Sequence, residues 1–316
     1  MWSCPATCSY TCLNTLTELA LATAPDDWSA SQPGQPLDGL PPGRQVQFHG
    51  KWPFISYLGM QEPVSVLFSL FNLYAHWLGL EQLRKLHPRR GDAVAVRRSY
   101  LLYALSGINS WIWSCAFHTR DLGWTEKADY FGAACGIVVG LWAVGARLLG
   151  IAGRGAVGGA WAGLCALGFV AHCTYLASGE RFDYGYNMKF NVSVALAQIF
   201  LWAGWAAYHS LRPPTTQAAR RSLTGATAEA SGPGWGRAPH RFAPLLPLIV
   251  LPALTSLELL DFAPVPERWR LLDAHALWHL STVAVVRVWY RFLEKDVRWL
   301  ETGEVDGQEG VRNRGD

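Results

Sequence analysis

Long apolar runs alternate along the chain with shorter polar stretches. Seven runs approach the ~20 residues that an α-helix needs to cross a bilayer. They lie at about 61–80, 99–118, 128–149, 156–178, 187–210, 242–263 and 271–293. The pattern predicts an all-α membrane protein built as a seven-transmembrane helix bundle. The second, sixth and seventh runs carry Ser, Asn, Glu, His or Asp within them or at their ends. Such groups are costly in hydrocarbon, so they are expected to face the bundle interior.

The polar stretches set the other boundaries. Residues 1–60 precede the first span. From residue 13 onward they read as a loop without its own packed core, with Pro and Gly clustered between Pro25 and Gly43. That segment ends in Phe48-His49-Gly50-Lys51-Trp52-Pro53-Phe54, an aromatic and basic cluster suited to the bilayer interface. His49 is read there as interfacial. Residues 61–293 form the seven-helix domain. Within it, the Ala/Gly/Ser/Pro-rich stretch 211–241 is expected to be a disordered cytosolic insertion. Residues 294–316 form a charged tail, and no internal repeat is visible.

Composition agrees with this division. Only 16% of the 316 residues are charged, against about 25% in soluble domains. A net charge of +3 gives no reason to expect a nucleic-acid partner. Met1 to Cys12 lacks the basic start and apolar core of a signal peptide, so targeting falls to the first span or to a longer ancestral chain.

Basic residues orient the bundle. One set of loops and span ends holds Arg84, Lys85, Arg89, Arg90, Arg97, Arg98, Arg147, Arg154, Arg212, Arg220, Arg221, Arg237 and Arg241. The alternate set holds Arg120, Lys127, Arg181, Arg268 and Arg270. The ratio is thirteen to five, which places the first set in the cytosol. The N-terminus is then lumenal and the C-terminus cytosolic. Cys4, Cys8 and Cys12 fit no common zinc module and read as the remnant of a disulfide framework, which also belongs in an oxidising lumen. The other four cysteines lie in apolar runs and read as core.

With this orientation, polar groups from three spans share one depth. His118 ends the second span and Asp129 begins the third. His275 and His279 occupy the first turns of the seventh. Ser114 lies four residues before His118, on the same helix face. His275 and His279, also four apart, can offer two imidazoles to one metal, with His118 as the third ligand. Three histidines and a water form the open arrangement of a catalytic Zn2+ site, where the water pKa falls to about 7. Asp129 can take the proton from that water. Ser114 can orient the water or donate to the developing oxyanion. Asp273 is a candidate partner to an imidazole. Glu258 and Asp261 either line the pocket or anchor a helix end.

Other polar residues have plainer readings. His76, His172 and His209 are read as hydrogen-bonded packing residues. The Asn191-Val192-Ser193 sequon lies inside a predicted span and is expected to be unused.

The run Ser-x-x-x-His, an Asp eleven residues later and His-x-x-x-His in the last span resemble the signature of the CREST superfamily of membrane hydrolases. The longer blocks narrow the match. Phe117-His118-Thr119-Arg120-Asp121, Thr125 to Phe131, Arg181 to Asn187, Leu257 to Phe262 and Leu272 to His279 resemble the Per1-like family of GPI-anchor lipid-remodelling factors, as does the cluster at 48–54. The resemblance covers about Trp2 to Leu293.

It implies hydrolysis of the sn-2 acyl ester of the lipid on GPI-anchored proteins, in the endoplasmic reticulum membrane or, alternatively, the Golgi. By motif it implies His118, His275 and His279 as metal ligands, with Ser114 and Asp129 as catalytic companions. Family members begin with a signal peptide and a fuller cysteine-rich segment, so a start at Trp2-Ser3-Cys4 implies a truncated one. Competing readings are a ceramidase-like amidase and a non-catalytic seven-span receptor or chaperone for GPI-anchored cargo.

Overall fold

The computed structural model describes residues 4–22, 44–48, 51–152, 155–211, 238 and 240–302. Among them are eight α-helices, α1 (Cys4–Ala22), α2 (Pro63–Arg84), α3 (Gly91–Thr119), α4 (Gly123–Leu148), α5 (Gly155–Ser178), α6 (Tyr184–Ser210), α7 (Leu245–Leu260) and α8 (Ala274–Thr302). No strand occurs among the described residues; short loops are closed by isolated bridges such as Val265 to Leu272. The insertion expected at 211–241 and the tail beyond Thr302 lie almost wholly outside the described residues, as does His49.

Helices α2 to α8 fall where the seven apolar runs lie. Four of them, α2, α4, α5 and α6, are long and apolar enough to cross a membrane. Helix α7 is apolar but short, and α3 and α8 carry more polar positions than a plain span. Those polar positions are where the site forms.

Helix α1 departs from the expected loop. Its three cysteines recur every four residues, which puts them on one exposed face of a helix. All seven cysteines are free thiols, so no disulfide framework exists in this structure. Side chains stacked along one helix face point in parallel and do not meet. Helix α1 is tied down at the base of α8: Arg270 donates to Asn14 at 2.8 Å and pairs with Glu18 at 2.9 Å. The Tyr10 hydroxyl accepts from the Ser56 N–H at 3.0 Å.

The bundle is assembled around α2, α3 and α8, with α4 packed on α3, and α5 and α6 on α4. Two glycines permit the closest approaches. A Cβ on Gly79 would run into the Tyr290 ring, and one on Gly107 into the His76 ring. The hydrophobic core sits toward the end of α2 that holds Leu80 and Leu83, with Tyr100, Trp202, Trp205, Tyr290, Phe292 and Trp299. The opposite end of the bundle is polar.

Sequence signals explain the helix ends there. Pro63 opens α2 at a position where a missing N–H costs nothing. Asp273 Oδ1 accepts from the Ala276 N–H at 2.8 Å and caps α8. Thr125 Oγ1 accepts from the Leu122 N–H at 2.9 Å and starts α4. Only Arg120 to Leu122 separate α3 from α4, so the end of one lies beside the start of the other.

Candidate metal centre

The last carbonyls of α3 would lack partners if the helix simply ended. The residues entering α2 supply them: Gln61 N–H donates to Thr119 O at 3.1 Å and Glu62 N–H to His118 O at 3.0 Å. This backbone pairing carries the Glu62 side chain to His118, where its Oε2 lies 2.7 Å from Nδ1. His118 is buried and its other nitrogen turns inward, with Nε2 3.4 Å from Nε2 of His275.

Helix α8 brings the other two rings. His275 and His279 are one turn apart, with centroids separated by 4.5 Å. The His118 ring lies 5.2 Å from His275 and 5.0 Å from His279. One nitrogen from each of the three rings lies within 4.8 Å of the others, an arrangement able to hold a metal ion. The donor set is all imidazole, as suits zinc. Trp111 packs edge-on against His279 and Phe117 lies against His118, so aromatic rings flank the centre.

Behind the rings runs a polar layer on α2. Ser69 Oγ lies 2.9 Å from Nδ1 of His279 and 3.0 Å from Oγ of Ser114. Asn72 donates to the His279 carbonyl at 2.7 Å and its own carbonyl oxygen accepts from Thr282 at 3.2 Å. Ser114 is thus buried at the level expected of it and reaches His279 through Ser69. Asp129 is half-buried, with its carboxylate within electrostatic reach of both His118 and His275.

The remaining acids divide. Asp273 is occupied as the cap of α8; the groups beside the imidazoles are Glu62 and Ser69. Burial pushes the Asp273 carboxyl above its ordinary value, against the pull of the Ala276 N–H. For Glu62, burial also pushes upward, but the neighbouring His118, His275 and Lys51 together outweigh it and hold the carboxyl below its ordinary value. Asp261 is exposed and accepts from Gln47 at 2.6 Å and Trp52 at 2.8 Å, anchoring the segment before α2. The Glu258 side chain lies outside the described residues.

Of the histidines expected to be hydrogen-bonded packing residues, His76 bonds the Tyr290 hydroxyl at 2.8 Å and His209 lies between Trp205 and Trp299, whereas His172 stacks on Phe190 with no hydrogen bond to either buried ring nitrogen among the described residues. Asn191 is inside α6, where its side chain donates to Asn187.

Glu62 and Ser69 are absent from the residues that sequence alone singles out. A signal for them exists. Glu62, Ser65, Ser69, Asn72 and His76 recur every three or four residues through an otherwise apolar run, which marks one polar face of a helix.

The sequence matches the Per1-like family over residues 1–297. The chain belongs to the Per1-like family. Similar proteins align with nearly the whole of this Per1-like chain. It is 34% identical to the "GPI-specific phospholipase A2-like PGAP3" of Mus musculus over 302 residues, covering 95% of this chain and 78% of that protein. It is 32% identical to the Xenopus laevis protein of the same name, again covering 95% and 78%. The "Protein PER1 homolog" of Schizosaccharomyces pombe is 36% identical over 295 residues, covering 92% of this chain and 74% of that protein. No solved structure matches the chain.

Proposed function

We propose that this Per1-like protein is a metal-dependent lipid hydrolase that removes the sn-2 acyl chain from the lipid of GPI-anchored proteins. The observation that carries the proposal is the meeting of His118, His275 and His279 at one end of the bundle, with Asp129 in electrostatic reach of His118 and His275. The names of its relatives, "GPI-specific phospholipase A2-like", supply the substrate class.

The three imidazoles hold zinc in this reading. When bound, zinc supplies a Lewis acid that polarises an ester carbonyl and lowers the pKa of a water to about 7. Asp129 accepts the proton that the attacking water gives up. Trp111 and Phe117 flank the rings, and Ser114 adds a buried hydroxyl nearby. In this reading α2 to α8 are seven spans and the histidine end faces the lumen of the endoplasmic reticulum or Golgi. An ester held just below the membrane surface meets the centre there, while its acyl chains stay in the bilayer.

The test is lipid mass spectrometry of GPI-anchored proteins from cells carrying only His118→Ala. The sn-2 chain should persist in the variant and be exchanged or lost with wild type. A wild-type lipid profile from well-expressed variant would overturn the proposal.

A further inference from the structure

Two side chains from the segment at the start of α2 stand behind two of the three histidines. We infer that Glu62 and Ser69 are positioning residues that hold the Nδ1 protons of His118 and His279, so that both rings present a bare Nε2 to the centre.

The inference follows from counting protons. A serine hydroxyl has one proton to give and two lone pairs to accept with. Ser69 Oγ has three neighbours: the Ser65 carbonyl at 2.7 Å, the Ser114 hydroxyl at 3.0 Å and His279 Nδ1 at 2.9 Å. The carbonyl has no proton, so it must receive the one on Ser69. Both lone pairs then accept, one from Ser114 and one from His279. His279 therefore carries its proton on Nδ1. A neutral ring protonated there has Nε2 free as an acceptor or ligand.

His118 reaches the same state by another route. Its Nδ1 lies 2.7 Å from the Glu62 carboxylate, which as an anion only accepts. The proton sits on Nδ1, and Nε2 faces His275 across 3.4 Å. A bare His118 Nε2 can accept a proton from His275 across that gap or serve as a ligand to a metal cation. Partners of this kind on the far nitrogen fix the ring and raise its basicity as a ligand.

The same count bears on Ser114. Its proton is committed to Ser69, so toward the centre it can only accept. Ser114 is thereby suited to orient a water and not to donate to an oxyanion.

This inference rests on the metal-centre reading above, and the test separates the two. The full chain is purified in detergent, stripped with a chelator and titrated with Zn2+, and with Co2+ as a visible-absorption probe. Wild type is compared with Glu62→Ala, Glu62→Gln, Glu62→Asp, Ser69→Ala and Ser69→Thr. The alanine variants should bind Zn2+ about 10- to 100-fold more weakly, with altered Co2+ absorption bands. Ser69→Thr, which keeps the hydroxyl, and Glu62→Asp, which keeps the charge, should recover part of the loss. Glu62→Gln, nearly isosteric, covers the case in which Glu62→Ala does not fold, and it too should bind more weakly. Wild-type affinity and Co2+ absorption in variants whose metal-free forms melt with wild type would overturn the inference and leave the metal centre standing. Failure of wild type itself to bind either metal would overturn the reading on which it rests.

Discussion

Arg147 grips Asp296 with two parallel hydrogen bonds, Nε to Oδ2 at 2.7 Å and Nη2 to Oδ1 at 2.8 Å, at the end of the bundle opposite the histidines. The pair ties α4 to α8. Tyr100 on α3 adds a third donor to the same carboxylate at 2.8 Å, and His240 approaches it at 3.3 Å. The carboxylate is fully buried. The helices that bring Asp129 and the two α8 histidines together are thus clamped at their far ends by one acid.

Removing Asp296 should leave a buried guanidinium without its partner. Such losses cost about 3–5 kcal/mol. Asp296→Ala should therefore lower the thermal midpoint sharply in detergent, and protein that remains folded should still bind metal. Asp296→Asn should fall between the two, since the amide keeps one acceptor but no charge. An unchanged midpoint in Asp296→Ala would show that the clamp does not hold the bundle.

Asp129 makes a different kind of contribution. If it accepts the proton from the attacking water, Asp129→Asn should lower kcat by about 100-fold or more, the scale of general-base catalysis. Zn2+ affinity should change little, because the three imidazoles hold the metal. Single-turnover release of fatty acid from a GPI lipid, paired with metal content, checks both halves. Loss of metal along with activity would make Asp129 part of the binding set.

How much of this was legible beforehand varies with the physics that governs each element. Helices α2 to α8 could be placed because each follows a long apolar run, and four of them, as at 156–178, are long and apolar enough to cross a bilayer. His118, His275 and His279 were legible because an imidazole inside an apolar run needs a reason. The polar repeat from Glu62 to His76 marks a face of α2 but not its partner, because the link from Glu62 to His118 depends on backbone bonds between the start of α2 and the end of α3. Asp273 illustrates the converse. Its place two residues before His275 is equally good for capping a helix or holding a ring, and Oδ1 takes the Ala276 N–H while the carboxylate stays in electrostatic reach of His275. Residues 13–22 of α1 fall in the stretch whose polar composition predicts a loop, yet the four-residue spacing of Cys4, Cys8 and Cys12 just before them is also a helical repeat.

Asp261 holds loop to loop. It is the shared acceptor for Gln47 and Trp52 and so fastens the segment before α2 to the connection between α7 and α8. Asp261→Ala should remove two hydrogen bonds worth about 1 kcal/mol each. The expected result is faster hydrogen exchange across residues 44–48 and 51–60, with Zn2+ affinity near wild type. A large loss of metal affinity would instead place Asp261 in the pocket.

Gly107 and His76 test the packing beneath the site. The α3 backbone at Gly107 comes so close to the His76 ring that a Cβ has no room, and that ring also bonds the Tyr290 hydroxyl. The neighbouring atoms belong to a buried ring hemmed in by Tyr103 and Tyr290, not to the free end of a flexible chain. Relief must come from separating α2 and α3. Gly107→Ala should then cost about 1–3 kcal/mol, as overpacking of a filled core does, and Gly107→Leu more. Because α2 carries Ser69 and α3 carries Ser114 and His118, the separation should also weaken Zn2+ binding. His76→Ala in the Gly107→Ala background should recover part of both losses by making room for the methyl group. Additive losses in the double variant would mean that the two residues do not share the contact described.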